Sequence, residues 1–233
     1  MCGRFTLTRR DRRELAELLG VDERDLRDYQ PHYNIAPLQD HFVIRPRYER
    51  RELLAARWGL VNSWAANSSS AASCINAKAE TIETRPSFKD AFAKRRCIVP
   101  ADGFYEWRGR KDNREPFWIH SPHGGLLWLA GLYELWQPEP SRWQRTFTII
   151  TTRANRLLEP VHDRMPVILD QRAAEDWMNP SEKDLVRLKA LLLPAPEDVL
   201  VLSPASSLVN SVKNDGPELL KPDQAPAAQR SLF

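Results

Sequence analysis

Cysteine in second place is the residue of this chain whose type and position most directly suggest covalent chemistry. An initiator methionine is normally trimmed ahead of a small side chain, and Cys2 would then carry a free α-amine and a thiol on adjacent carbons. A primary amine condenses with an aldehyde to a Schiff base, and the neighbouring thiol can close on that imine to give a thiazolidine ring. The reference pKa of an α-amine is about 7.7–8.0, so a useful fraction is neutral and nucleophilic near neutral pH. The alternative is a cysteine at a frayed terminus with no role.

Three further polar groups stand in apolar or tightly turned settings: Asn76 after Ile75, Glu106 between Tyr105 and Trp107, and His162 ahead of Asp163-Arg164. A carboxylate among aromatics has its pKa raised by desolvation, which suits both donating and accepting a proton. Against this, Glu106 could be a strand residue facing water, His162 a hydrogen-bonded structural histidine and Asn76 a turn former. The other histidines (His32, His41, His120, His123) have no metal-ligand spacing, and no metal or other cofactor is expected. No Gly-rich phosphate loop, Gly-x-Ser-x-Gly elbow or dinucleotide fingerprint appears, which excludes kinase, serine hydrolase and nicotinamide-enzyme readings. Among eight tryptophans, Trp64 and Trp107 lie beside loop or polar residues and are the candidates for stacking on unpaired bases.

These residues need a scaffold, and 233 residues suffice for one large domain with a full core. Cys2, Cys74 and Cys97 are odd in number and lack ligand spacing, which argues against disulfides and structural zinc. Early charges (Arg4, Arg9, Arg10, Asp11) break any signal-peptide pattern, and no stretch reaches membrane-span length. A soluble, cytoplasmic monomer with reduced thiols is expected. The net charge of +3 is mild, but Arg45, Arg47, Arg50, Arg51 and Arg57 against Glu49 and Glu52 form a basic stripe, either phosphate-binding or a solvated strand face.

Along the chain, Thr8 is a candidate cap for a helix with Leu15, Leu18 and Leu19 on one face, stopped by Gly20. The segment Pro31–Pro37, pinned by proline at both ends, reads as an ordered loop. Strands are predicted over Phe42–Ile44, Glu52–Leu60, Cys97–Pro100, Gly103–Arg108, Pro116–His120, Leu126–Trp136, Arg145–Thr152, Val167–Leu169 and Asp198–Leu202. A short helix is predicted from Ser87, with Phe88 and Phe92 on one face, and two more near Arg172–Met178 and Ser181–Leu193. The pattern predicts an α+β fold around a largely antiparallel, barrel-like sheet with peripheral helices, spanning 1–216, and a flexible tail over 217–233.

Together these pieces resemble the SRAP (SOS response-associated peptidase) family, whose members protect abasic sites in single-stranded DNA. The matching motifs are Met1-Cys2-Gly3-Arg4-Phe5, Tyr33-Asn34-Ile35-Ala36-Pro37, Trp58-Gly59-Leu60, Asn76-Ala77-Lys78-Ala79-Glu80-Thr81, Phe104-Tyr105-Glu106-Trp107, His162-Asp163-Arg164-Met165-Pro166 and Val212-Lys213-Asn214. They occur in the family's order. The resemblance implies that Cys2, freed of Met1, is the nucleophile, with Asn76, Glu106 and His162 completing the site. It implies a covalent thiazolidine link to abasic DNA, with weak lyase activity when ring closure fails. Lys78 and Arg164 are implied on phosphates, with Trp64 and Trp107 near bases, and Arg4 is a further phosphate candidate. Two positions depart from the family pattern: Lys78 stands where arginine is common, losing the bidentate fork, and Asn62 where proline is common. The competing readings are an N-terminal-nucleophile peptidase acting on its own extension and a non-covalent single-strand binder.

The last residues, Gln229-Arg230-Ser231-Leu232-Phe233, resemble the short peptide with which bacterial repair proteins dock on the sliding clamp. Leu232 and Phe233 would fill an apolar pocket and Gln229 would bond at its rim, with Pro222–Ala228 as a tether.

Overall fold

In the computed structural model of the chain, residues 2–47, 50–109 and 113–223 are described. In chain order the strands are β1 (Phe5–Leu7), β2 (His32–Ile35), β3 (Asp40–Arg47), β4 (Arg50–Trp58), β5 (Asn76–Lys78), β6 (Arg96–Ala101) and β7 (Gly103–Arg108). They continue with β8 (Glu115–His120), β9 (Leu127–Glu139), β10 (Arg142–Arg153), β11 (Arg164–Pro166), β12 (Ile168–Leu169) and β13 (Val201–Pro204). The α-helices are α1 (Arg12–Leu19), α2 (Lys89–Lys94), α3 (Gln171–Met178) and α4 (Leu185–Ala190).

Five strands close on themselves. β10 pairs β4, β4 pairs β3, β3 pairs β6, β6 pairs β9, and β9 returns to β10. Every step is antiparallel except β10–β4, so the expected α+β, largely antiparallel barrel is what the chain forms. β10 is the hub, pairing also with β5 in parallel and β11 in antiparallel register. Its run Thr146–Thr152 is buried at every position and is dominated by β-branched residues, with no charged residue in it.

A second sheet, in the order β13-β8-β7-β1-β2, lies with one face on the barrel's core. Phe5, Ile35, Phe104 and Ile119 share that face by register and join the main cluster. Its other face carries Tyr33, Tyr105, Trp107 and Trp118, covered by Ala205, Val209 and Leu219 from the chain's last described stretch.

Local chemistry moved several predicted boundaries. The α1 cap is Asp11, whose side chain accepts from Arg13 and Glu14 N–H; Thr8 is instead bonded to Asp102. Leu15 and Leu19 are buried, but Leu18 is exposed. α2 begins at Lys89, after an uncapped Phe88, although Phe88 and Phe92 are both buried. Asp184 caps α4, which makes the fourth helix shorter than predicted. The segment read as a loop between Pro31 and Pro37 contains strand β2, which pairs with β1, and Asp215 accepts from the Tyr33 and Asn34 N–H groups. The tail expected from 217 opens in packed structure: Leu219 is fully buried and Asp223 accepts from Ser206. The clamp-like residues Gln229, Leu232 and Phe233 lie outside the described residues. No described helix is long and apolar enough to cross a membrane.

Candidate active site

Cys2 leads into β1, and β1 lies antiparallel to β7 with Phe5 opposite Phe104. The Tyr105 N–H donates to the Arg4 carbonyl at 2.9 Å, which carries the pairing toward Glu106. Strand alternation puts Tyr105 and Trp107 on one face and Phe104 and Glu106 on the other. Glu106 is therefore turned inward, only 2% exposed, and the water-facing alternative does not hold. Burial pushes its carboxyl up to about 7. The Cys2 thiol is fully buried as well; desolvation pushes it well above the ordinary thiol range, and the charge of Glu106 adds to the effect. Carboxyl and thiol thus sense one another across the β1–β7 pairing.

Asn76 heads β5, where the parallel register on β10 sets it opposite Ile149. Its approach is fixed by the turn after β4. Gly59 has φ +127°, and a Cβ there would come within 2.8 Å of the Ala71 carbonyl, so glycine alone fits. The Gly59 N–H donates to Phe147 O at 2.8 Å, and the Trp58 indole N–H donates to Ile75 O at 2.8 Å. Asn62 is buried, and its side chain donates to Ser87 O at 3.0 Å, which ties down this loop. Asn76 Nδ2 donates to the Cys2 carbonyl at 2.8 Å, while its Oδ1 is buried with no hydrogen-bond partner among the described residues. A buried acceptor left unmatched in this way costs about 1–3 kcal/mol and calls for an explanation in function.

His162 sits in the turn between β10 and β11. Its own N–H and that of Val161 both donate to the Leu158 carbonyl, and Ala154 N–H donates to Asp163 O. The ring's Nδ1 accepts from the Arg164 backbone N–H at 2.9 Å. Partial burial lowers the pKa of the imidazole, with Asp163 opposing. Asp163 also raises Glu106, so this turn lies within electrostatic range of the carboxyl on β7.

Of the residues singled out for DNA, Arg4 and Trp107 come together. The Arg4 guanidinium carbon is 6.0 Å from the Trp107 ring centre, and both line a cavity of about 270 Å³ with Gly3, Arg114 and Asn210. One Arg4 nitrogen, Nη1, is committed to Asn34 Oδ1 and Val209 O, each at 2.8 Å. The Trp107 indole N–H donates to Asn210 Oδ1 at 2.8 Å. Trp64 is 67% exposed, and Lys78 is exposed two residues beyond Asn76. Arg164 is differently placed: its fork grips Glu80, Nη1 to Oε1 at 2.6 Å and Nη2 to Oε2 at 3.0 Å, and Nη2 also donates to Thr151 O at 2.6 Å. The basic stripe is largely paired within its own surroundings, Arg45 and Arg47 on Glu52 and Arg51 on Glu175.

Sequence reasoning missed Asn34, Asn210, Arg114 and Glu80 as individual members of this neighbourhood. Asn34 and Glu80 sat inside recognised motifs but gave no separate signal, and Arg114 and Asn210 gave none. Among the described residues no group of three or more His, Cys, Asp or Glu could hold a metal ion.

A family model described as SOS response associated peptidase (SRAP) matches residues 1–212. The abasic site processing protein YoqW of Bacillus subtilis is 41% identical over 224 residues, covering 95% of this chain and 99% of that protein. The abasic site processing protein HMCES of Gallus gallus is 33% identical over 229 residues, covering 83% of this chain and 67% of that protein. A crystal structure of a protein from Bacteroides thetaiotaomicron superposes with a TM-score of 0.83 at 26% identity, covering 96% of this chain and all of that one.

Proposed function

This chain belongs to the SRAP family, and we propose from that membership and from the cluster at Cys2 that it processes abasic sites in DNA by covalent capture. The observation that carries the reading is the buried Glu106 carboxyl, raised to about 7 and electrostatically coupled to the Cys2 thiol, with Asn76 bonded to the Cys2 carbonyl. An acid–base group works best when its pKa lies near the working pH, and Glu106 meets that condition while an exposed glutamate would not.

The reaction needs Met1 removed, so that the Cys2 nitrogen changes from an amide to an amine. Abasic deoxyribose is mostly a closed hemiacetal. Glu106 in its acid form protonates the ring oxygen as the C1′ hydroxyl loses its proton, and the open aldehyde results. The Cys2 amine adds to C1′, water leaves, and an imine forms, with His162 assisting at the reacting centre. The thiol then adds across the imine: sulfur bonds to C1′, and the thiol proton passes to nitrogen, relayed by Glu106. One water is lost overall and no oxidant is required. Closing the ring removes the imine that would otherwise promote β-elimination and strand cleavage.

Asn76 holds the Cys2 carbonyl through Nδ2, which leaves Oδ1 as the acceptor for the liberated amine. The cavity between Arg4, Trp107 and Arg114 supplies a cation and an aromatic face for the nucleotide beside the lesion, and Lys78 and Trp64 extend the contact along a single strand. A peptidase reading needs a thiolate that attacks an amide, and burial holds the Cys2 thiol in its neutral form, which weighs against it.

The test is incubation of the protein with an oligonucleotide bearing one abasic site, followed by a denaturing gel. A heat-stable shifted band is expected from wild type, and a labile, borohydride-trappable species from Cys2→Ser. A Cys2→Ala protein giving the same heat-stable band would sink the thiazolidine step. Intact mass of the active protein should lack Met1.

A further inference from the structure

His162 can serve the capture reaction only in the form its surroundings allow. A ring nitrogen that accepts a hydrogen bond has its lone pair engaged and bears no proton; in the neutral ring the proton is then on the other nitrogen. Nδ1 of His162 accepts from the Arg164 backbone N–H at 2.9 Å. Asp163 Oδ1 also lies 2.9 Å from Nδ1 and would favour the opposite tautomer. Its side chain is 88% exposed, so it can turn into solvent. The Arg164 N–H belongs to strand backbone and cannot turn away. The backbone donor decides the tautomer.

That donor is itself held in place. β11 pairs with β10 with Arg164 opposite Arg153. The Arg164 side chain, 13% exposed, is gripped through both Nη atoms by Glu80 and through Nη2 by Thr151 O, and its Nε is buried with no partner among the described residues. Glu80 lies in the helical turn Ala79–Thr81 that directly follows β5, the strand headed by Asn76. One short segment therefore supports two of the groups around Cys2. Without Glu80, a largely buried guanidinium would lose two charge-assisted hydrogen bonds and would have to move toward water. Its own N–H would move with it.

We propose that Glu80 is a positioning residue whose two-point grip on Arg164 presses the Arg164 N–H onto Nδ1 and so keeps His162 as a neutral Nε2–H donor. This rests on the capture reading above and divides its labour. As the N–C1′ bond forms, the carbonyl electron pair moves onto oxygen, and the Nε2–H stabilises that oxygen without surrendering its proton. The amine gives up two protons in turn through Glu106: the first turns that oxygen into a hydroxyl, and the second converts the hydroxyl to water, which leaves as the C=N bond forms. His162 polarises, and Glu106 carries protons.

The experiment uses the full chain labelled with 15N-histidine. Two-bond ¹H–¹⁵N correlation at neutral pH should show the His162 ring with its proton on Nε2, assigned by loss of the signal in His162→Gln. A proton on Nδ1, or on both nitrogens, overturns the proposal. In Glu80→Ala the single tautomer should give way to a mixture, and capture at saturating DNA should slow on the order of tenfold, the usual scale for loss of a group that orients a reacting side chain. Binding to an oligonucleotide with a tetrahydrofuran in place of the abasic sugar, which cannot react, should be unchanged or tighter, because a cation has been released. Glu80→Gln, which keeps one acceptor for the guanidinium, should recover most of the rate. A Glu80→Ala protein with wild-type rate and wild-type ring signals sinks the idea. Should wild type form no adduct at all, the capture reading fails, while the ring signals still decide the tautomer.

Discussion

Asn76 Nδ2 donates to the Cys2 carbonyl at 2.8 Å, a bond between residues 74 positions apart that ties the first described residue of the chain to the barrel's parallel strand. A leading residue ordinarily frays. This one is buried because a side chain from β5 and the β1–β7 pairing both restrain it.

Replacing Asn76 with alanine removes the restraint and leaves the Cys2 carbonyl buried without its donor, a loss of about 1–3 kcal/mol in stability. Capture should fall further than stability alone would dictate, because the amine also loses its acceptor. Asn76→Asp should be the more damaging change: no donor remains, and a carboxylate faces the Cys2 carbonyl oxygen. Denaturant melts alongside single-turnover capture would check both. Equal capture by Asn76→Asp and wild type would remove Asn76 from the site.

Glu106 offers a trade between function and stability. Its folded pKa of about 7 exceeds the ordinary 4.5, so the folded state binds more protons between those values. Stability is then lost as pH rises from about 4.5 to 7 and stays lower above that. Glu106→Gln carries no charge to desolvate, so at pH 8 it should be more stable than wild type by up to about 3 kcal/mol. It should also capture abasic DNA at least about a hundredfold more slowly, the lower range for loss of a general acid–base group. A variant less stable than wild type at pH 8 would contradict the burial argument.

How much of this could be read from the chain depended on the range of the interaction. Local pattern located β7, β9 and β10 well, since Phe147 and Ile149 alternate with threonines that also prefer strands. Barrel closure follows from the β10–β4 pairing, whose partners are far apart in sequence and lack a local signal. Glu106 was recognisable as unusual between two aromatics, yet its direction was open until the register with β1 set its face. The Glu80–Arg164 pair spans 84 positions, and in sequence Arg164 looked like a free cation for phosphate. Asn34 was hidden for a similar reason: its side chain donates to Ser211 O and Asn214 O, and both partners lie at the other end of the chain.

The exposed aromatic and cation give a separable test of DNA contact. Trp64 and Lys78 are both exposed, so Trp64→Ala and Lys78→Ala should leave the melting temperature within a degree or two. Trp64→Ala should weaken binding to an unreactive single strand by about 1–3 kcal/mol, the value of one lost base stack, with little change in salt dependence. Lys78→Ala should instead lower the slope of log affinity against log salt by about 0.7, the single-strand value for one phosphate. Fluorescence anisotropy across a salt series distinguishes the two signatures, and an unchanged slope in Lys78→Ala would take that residue off the backbone.

His41 gives the opposite pH signature to Glu106 from the same core. It is buried, its ring packs edge-on to Phe5 at 4.9 Å between centres, and desolvation lowers its pKa to about 3 from 6.5. The unfolded chain therefore binds the extra proton between those values, so the contribution of neutral His41 is complete above about 6.5 and is lost as pH falls toward 3. Between 4.5 and 6.5 the two groups act against each other: stability tied to His41 rises with pH while stability tied to Glu106 falls. Each can contribute a slope of up to about 1.4 kcal/mol per pH unit. Glu106→Gln should unmask the rising His41 slope across this window relative to wild type, and His41→Gln should leave the falling one. Taking differences from wild type cancels the other carboxylates, so chemical denaturation of the three proteins at pH 4.5, 5.5 and 6.5 isolates the pair. If all three proteins give parallel curves, neither group can be titrating as its burial requires.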